Sequence, residues 1–416
     1  MSDSLLCLIG NFILYVFALL LFLKNAKCFT GASLILCYYL FSALCSILFY
    51  AHPYTAQTYY YREICWQALL YFFVLSIILI YPVFCFDKKC QNKVVLIREK
   101  PIIIYMYIML AIQVILIMGY LPAFVVMATS DMATMRDSIG GGDVSPNQYV
   151  IKVFAQIMFR YENFKLLSTI IAVYAFFFVQ KKRRLVLSYT FVSLVFPMYT
   201  SFLYLMRSQM FLQIIFVGYF LFLFRNFLTK KQKKMIFVFS AIIVSTIMLV
   251  LVTISQGRFD DLASWMYYKY SGETFVNFAG QLWNDAKGTT DGYAYFRWLI
   301  DGSDWKGLFE KWEFIEHKVG IHAQIFYGAI GQLVIEFGWI LSAAIHIAFG
   351  IFSYYIVNNK KYISLSNIVL VGFIVYYVLY GFYIFPFQGT AMNQVIIILI
   401  AYFYSKSQRI TRTVKI

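Results

Sequence analysis

The sequence predicts an all-α polytopic membrane protein with about 11 transmembrane helices and one large external loop. Three observations lead there. Of 416 residues, 62% are hydrophobic and only 13% charged, with a mean hydropathy of +0.73. A soluble globular chain carries about a quarter charged residues. Apolar runs of roughly 18 residues or more, the length that crosses a bilayer as a helix, recur along the chain. These runs are continuous, without the period-2 alternation of a membrane barrel, so helices are the spanning elements.

The runs place spans near 5–23, 31–50, 65–86, 102–124, 164–180, 185–205, 208–224, 235–255, 338–357, 365–386 and 390–405, with an extra apolar piece at 326–337. The first run has no basic n-region and no small-residue cleavage site, and reads as a retained helix. The chain thus divides into N-terminal spans over 1–255, with a medium external loop at 125–163, then the large loop 256–325, then C-terminal spans and a tail over 326–416.

Charge orients these spans. The formal net charge is +16, which suggests nucleic acid until its placement is considered. One set of joints, from Lys24 through Lys88–Lys100, Lys181–Arg184, Arg225–Lys234 and Lys360–Lys361 to the tail, holds 22 lysines and arginines against Asp87 and Glu99 alone, a balance of +20. The remaining 13 positive residues face 17 acids, a balance of −4. Positive joints stay cytoplasmic, so the amino terminus and the 256–325 loop are external. The basic balance is topology, and nucleic acid is excluded as the partner. The seven cysteines lie in or beside the apolar runs before residue 91, with no C-x-x-C pair, so neither a structural metal nor a disulfide framework is expected.

Function is therefore sought in the external segments. In the large loop, Trp305, Leu308, Phe309, Trp312, Ile315 and Val319 recur at helical spacing with charges between them. This is an amphipathic helix, either on the outer membrane surface or packed on its own domain. A second helix is expected over 260–270, with Leu262, Trp265, Met266 and Lys269. The IGGGD stretch, Ile139 to Asp143, reads as a flexible turn rather than a phosphate cradle, because no strand–helix junction adjoins it.

Arginines on the external side stand against the charge rule. Arg207 sits in YLMRSQMF between two spans that need almost no loop, and Arg258 follows the next external helix end. Arg136, Arg160 and Arg297 complete the set. A guanidinium grips phosphate oxygens bidentately, so several forks at the outer leaflet suit a lipid diphosphate. The alternative is snorkelling, or pairing with acids such as Asp137, Glu162, Asp260 and Asp261. His322 is a candidate general base, since histidine releases a proton near neutral pH without special tuning. Glu336, inside an apolar stretch, is a candidate because an ionisable group there is costly. His346 reads as a core residue, and the Asp260–Asp261 pair as helix capping. The piece 326–357 is too long for one straight span and is interrupted by Gly328, Gly331, Gly338 and Gly350. A break near Gly338 is expected, buried or lining a cavity.

In these motifs, YLMRSQMFLQIIF, ISQGRF, YKYSGETFVNF and the closing GAIGQLVIEFGWI, the chain resembles the bacterial oligosaccharide repeat unit polymerases, the Wzy-type O-antigen or capsule polymerases. The resemblance implies a GT-C-type membrane glycosyltransferase in a bacterial inner membrane, with the large loop periplasmic. Its substrate would be an undecaprenyl-diphosphate-linked oligosaccharide, its surroundings membrane lipids, and a chain-length regulator protein its partner; no metal or cofactor is implied. By that analogy Arg207 and Arg258 hold the donor diphosphate, Arg136 or Arg297 assists, and His322 and Glu336 are the catalytic candidates. The related O-antigen ligases, and a repeat-unit flippase from another class, are the alternatives. The absence of repeated halves disfavours the transporter.

Overall fold

The computed structural model describes residues 3–58, 63–89, 93–130, 135, 138–139, 144–235, 238, 245, 263–303, 305, 307–358 and 363–415. Those residues are predominantly helical. The main helices are α1 (Asp3–Ala26), α2 (Gly31–Ala51), α3 (Trp66–Lys89), α4 (Glu99–Gly119) and α5 (Leu121–Thr129). There follow α6 (Lys152–Glu162), α7 (Lys165–Phe178), α8 (Arg183–Leu203) and α9 (Arg207–Leu223). The C-terminal part adds α10 (Ala263–Asn277), α11 (Leu308–Val319), α12 (Gly328–Asn358), α13 (Leu365–Tyr380) and α14 (Asn393–Ser407). One antiparallel strand pair departs from the all-helical expectation, β1 (Lys93–Ile97) with β2 (Arg409–Lys415), in register Lys93 to Lys415.

Six helices among the described residues are long and apolar enough to cross a membrane: α1, α2, α3, α4, α8 and α12. The chain is a multi-pass helical membrane protein. Three shorter apolar helices fall where spans are expected at 164–180, 208–224 and 365–386, and α14 falls at 390–405. The expected span 235–255 lies almost wholly outside the described residues.

Two compact units interleave along the chain. The first comprises Met1–Lys88, Phe259–Asn359 and Ile374–Gly389. Thr30 caps α2 in a reciprocal capping box with Ser33, and Asp87 accepts the next free amide, Ala32 N–H, at 2.7 Å. That use satisfies one of only two acids on the basic side and one of the orphan donors of a helix start. Along α2 runs α10, in the opposite direction: Trp265 donates to Thr55 Oγ1 at 2.7 Å, Gly272 meets the backbone at Ser46, and Phe275 packs on Tyr15. This part of the large loop is thus folded back against an apolar helix long enough to span a membrane. Its π-turn, Phe278–Leu282, continues the same line.

The break in α12 organises this unit. Gly338 has φ 76° and ψ 176°, a conformation closed to residues with a Cβ. The chain reverses there: Ser342 Oγ donates to the Ile330 carbonyl at 3.2 Å, although 12 residues of straight helix would span about 18 Å. The break over Gly338 falls where the sequence places it. The carbonyl of Ile335, deprived of its intrahelical donor, accepts Thr290 N–H at 2.9 Å. At the other end of the short half, Gly328 and Ala329 donate to the carbonyls of Tyr383 and Gly381.

The second unit, Lys89–Arg258, Lys360–Phe373 and Thr390–Ile416, holds α4 to α9 and α14. Tyr161 of α6, Gln113 of α4 and Ser193 of α8 are joined by hydrogen bonds of 2.5 and 2.9 Å, a buried polar link across three helices. Glu99, the other acid of the basic side, accepts Gln180 N–H at 3.3 Å. Between α8 and α9 the turn is only Tyr204–Met206, with Leu205 held at φ 52° and Met206 N–H donating to the Ser201 carbonyl at 2.7 Å.

The α2–α10 crossing depends on a missing side chain. A Cβ on Gly272 would lie 2.2 Å from Ser46 N, against backbone that has no slack. Gly272→Val is expected to cost about 1–3 kcal/mol by overpacking. A lowered melting temperature of the detergent-solubilised protein checks it.

Candidate functional site

In the first unit the large loop and the broken helix α12 carry three groupings of chemistry-bearing side chains. The first centres on Glu336, at the end of the short half of α12 and completely buried. Its carboxylate accepts from Thr290 Oγ1 and from the backbone N–H of Tyr295, with Ala294 N–H at 3.4 Å. Tyr295 is tied down again through its carbonyl, which accepts Gly389 N–H at 3.2 Å. Over its ring, 3.8 Å from the centroid, lies the ammonium of Lys311, which also donates to Gln388 Oε1 at 2.6 Å. Burial first, and then the negative charge of Glu336, hold the Tyr295 hydroxyl well above its ordinary pKa. The oxygens of Glu336 are occupied by the loop backbone, so in this arrangement the residue fixes residues 290–295 against the broken helix.

His322 forms the second grouping. Its Nδ1 lies 3.1 Å from Glu316 Oε1, with both side chains partly exposed. Glu316 sits in the last turn of α11, and Gly320 at φ 79° ends that helix. The chain then doubles back, so Ala323 N–H also reaches Glu316 Oε1 at 3.0 Å. Tyr327 O–H donates to the His322 carbonyl at 2.7 Å. A histidine whose Nδ1–H is held by a carboxylate presents Nε2 as a proton acceptor, the arrangement of an oriented general base. His322 and Glu336, paired as candidates in the sequence, have separate partners and are not in contact.

The third grouping is Arg297. It pairs with Asp301 at 3.4 Å and Glu310 at 3.9 Å and stacks over Trp305 at 4.5 Å. The Ser303 hydroxyl and amide, and then Arg297, pull the Asp301 carboxyl below its ordinary pKa. The expected amphipathic helix is α11, and it packs on its own unit: Lys311, Ile315 and Val319 are buried, whereas Leu308 and Phe309 are about half exposed.

In the second unit a cavity of about 250 Å³ opens beside the α8–α9 turn. Asn147, Lys165, Tyr204, Met206 and Gln209 are among its walls. Tyr120 donates to Asn147 Oδ1 at 2.6 Å, and Lys165 pairs with Glu162 at 3.1 Å. The Tyr204 hydroxyl is pushed up to about 12 by burial and, secondarily, by Glu162. Arg207 opens α9 immediately beyond Met206. Arg136, Arg258 and the Asp260–Asp261 pair lie outside the described residues. His346 is buried, as expected, between the Ser342 carbonyl at 2.7 Å and Tyr377 O–H at 3.1 Å. Among the described residues, no group of three histidine, cysteine or acidic side chains could hold a metal ion.

Sequence reasoning passed over Glu273 and Glu316. Glu273 is fully buried on α10, near Lys269 and hydrogen-bonded to Asn277. Its signal was present: residues 265, 266, 269, 272, 273 and 276 form one helical stripe, which puts the acid on the face carrying Trp265. Glu316 and His322 are six apart, a spacing that means nothing until Gly320 reverses the chain.

No family model matches the chain, and no curated protein or solved structure matches it either. Fold and geometry therefore define the class by themselves: a multi-pass helical membrane protein whose polar loop is clamped to a glycine-broken helix.

Two outcomes follow from the buried acids. Burial pushes the Glu273 carboxyl up to about 7 from 4.5, with Lys269 opposing. An acid whose pKa is raised by folding stabilises the fold fully below the unfolded value and loses that contribution as pH rises through the folded one. Thermal stability should therefore fall between pH 4.5 and 7, and Glu273→Gln should flatten that part of the profile. Replacing Glu336 by Gln sets an amide N–H against donors and costs about 1–3 kcal/mol locally. Limited trypsin digestion should then cut after Lys287 and Arg297 roughly 5- to 100-fold faster than in the parent.

Proposed function

We propose that the chain is a bacterial membrane glycosyltransferase that polymerises undecaprenyl-diphosphate-linked oligosaccharide repeat units at the outer face of the inner membrane. The observation that carries this reading is the His322–Glu316 pair, an oriented base on the loop that the charge rule makes external. Glu316 holds the Nδ1 proton, and Nε2 takes the proton of the acceptor sugar hydroxyl. The freed oxygen attacks the anomeric carbon of the donor sugar, the C1–O bond breaks, and the lipid diphosphate leaves with the bonding pair.

Fixed positive charge is needed where that diphosphate gathers charge. Arg207 and Arg258 are assigned to it, with Arg136 assisting. Arg297 already spends its fork on Asp301 and Glu310, so it serves the loop before it serves a substrate. Support for Arg207 comes from its turn: Leu205 holds a left-handed conformation that side-chain-bearing residues seldom adopt, and such positions gather at functional sites. Glu336 is then a positioning residue, which keeps residues 290–295 in place while His322 works.

The test uses a host lacking this gene, complemented with the parent, Arg207→Ala, Arg207→Lys, His322→Ala or Glu316→Gln at matched membrane levels. Gel analysis of the surface glycan should show a ladder for the parent and single-repeat glycan for His322→Ala, since removing a general base costs about 100- to 10,000-fold. Arg207→Ala should behave likewise, Arg207→Lys should restore little, and Glu316→Gln should give a shortened ladder. A full ladder from both alanine variants would sink the assignment. Loss even of single-repeat glycan would indicate ligation or transport in place of polymerisation.

A further inference from the structure

Helix α6 has a face that neither the broken helix nor the polar loop explains. It lies over the ends of α4 and α8 that are opposite the basic joint Lys181–Arg184. Phe154 seats its ring on Gly119, where a Cβ would come within 2.6 Å, and Tyr161 reaches Gln113 at 2.5 Å. Those contacts, with buried Met158, fix which side faces the protein. The opposite side is exposed and mixed: Lys152, Gln156 and Arg160 alternate with Ile151, Val153 and Phe159, the last three all more than half exposed.

Along this side runs an open groove of about 490 Å³, walled by Lys152, Ala155, Gln156, Phe159 and Arg160. The five recur at i, i+3, i+4, i+7 and i+8, one continuous helical stripe. Lys152 and Arg160 stand at its ends, about 12 Å apart along the axis. Among the described residues neither has a carboxylate partner, and the nearby Glu162 is paired with Lys165 at 3.1 Å. Two uncompensated cations are out of place here, because the external segments as a whole carry −4. Exposed apolar side chains beside snorkelling cations are the pattern of a helix in the headgroup layer.

We propose that the α6 groove binds the headgroup of an anionic bilayer phospholipid. The Arg160 fork takes the phosphate oxygens, Lys152 neutralises charge at the far end, and Gln156 between them meets hydroxyl or ester oxygens. Ile151, Val153 and Phe159 lie against the acyl chains. The openness of the groove and its flanking apolar side chains favour a lipid of the surrounding bilayer over a soluble anion. The proposal does not rest on the polymerase reading, although the groove adjoins the cavity at the α8–α9 turn through Ala155 and Phe159, and neither cation is assigned a part in that reaction.

Native mass spectrometry of the full-length protein from detergent tests this. It is titrated with phosphatidylglycerol, phosphatidylcholine, undecaprenyl phosphate or inorganic phosphate. Phosphatidylglycerol should be retained over phosphatidylcholine in the parent. Each neutralised cation should weaken retention about fivefold, so Lys152→Gln/Arg160→Gln should lose roughly 25-fold. The charge-preserving pair Lys152→Arg/Arg160→Lys should keep most of the binding, and both variants should remain monodisperse because the residues are exposed. Equal retention of both phospholipids, or of phosphatidylglycerol by parent and glutamine variant, overturns the proposal. So does displacement by equimolar inorganic phosphate, or retention of undecaprenyl phosphate alone, which would give the groove to the carrier lipid.

Discussion

A backbone amide or carbonyl left without a partner costs several kcal/mol inside a membrane protein, and the first unit is arranged around avoiding it. Breaking α12 at Gly338 frees the Ile335 carbonyl, and the loop supplies Thr290 N–H in return. Glu336, one residue further, collects the Thr290 hydroxyl and the amides of Tyr295 and Ala294. The opposite end of the half-helix is closed by carbonyls from the 381–383 turn. Loop, broken helix and turn are therefore one hydrogen-bonded object. The buried carboxyl of Glu336 belongs to it as a structural group, met by oriented donors and by nearby Lys311.

Much of this was legible in the sequence because bilayers impose crude rules. Apolar length gave the long helices, and the glycines of 326–357 gave the break, since only glycine adopts the backbone of residue 338. What escaped was anything set by chain reversal. The sequence places a helix over 260–270 within the polar loop but not its continuation to Asn277 or its seat, because tyrosine, lysine and glutamate there lower the local hydropathy. Folded, residues 263–277 lie against α2, and the small side of α10 at Gly272 permits the approach. His322 was visible, but its partner Glu316 was hidden behind the turn at Gly320. The strand pair β1–β2 joins residues more than 300 positions apart, and no local pattern announces it.

Charge does two different jobs. On the basic side the joints are crowded with lysine and arginine, and the two acids among them, Asp87 and Glu99, each accept a backbone amide. Asp87 serves the start of α2 and Glu99 the turn after α7. On the other side, acids and bases are close to balance, and some of them pair with one another, as Arg297 does with Asp301 and Lys165 with Glu162.

The interleaving of the two units has a consequence for biogenesis. The first unit needs Ile374–Gly389, and the second needs Thr390–Ile416, including the strand that pairs with β1. Helices α1 to α9 are thus delivered to the membrane long before the segments that complete either unit leave the ribosome. Until then the protein exists as an inserted but unfinished set of helices, and residues 374–416 complete both units.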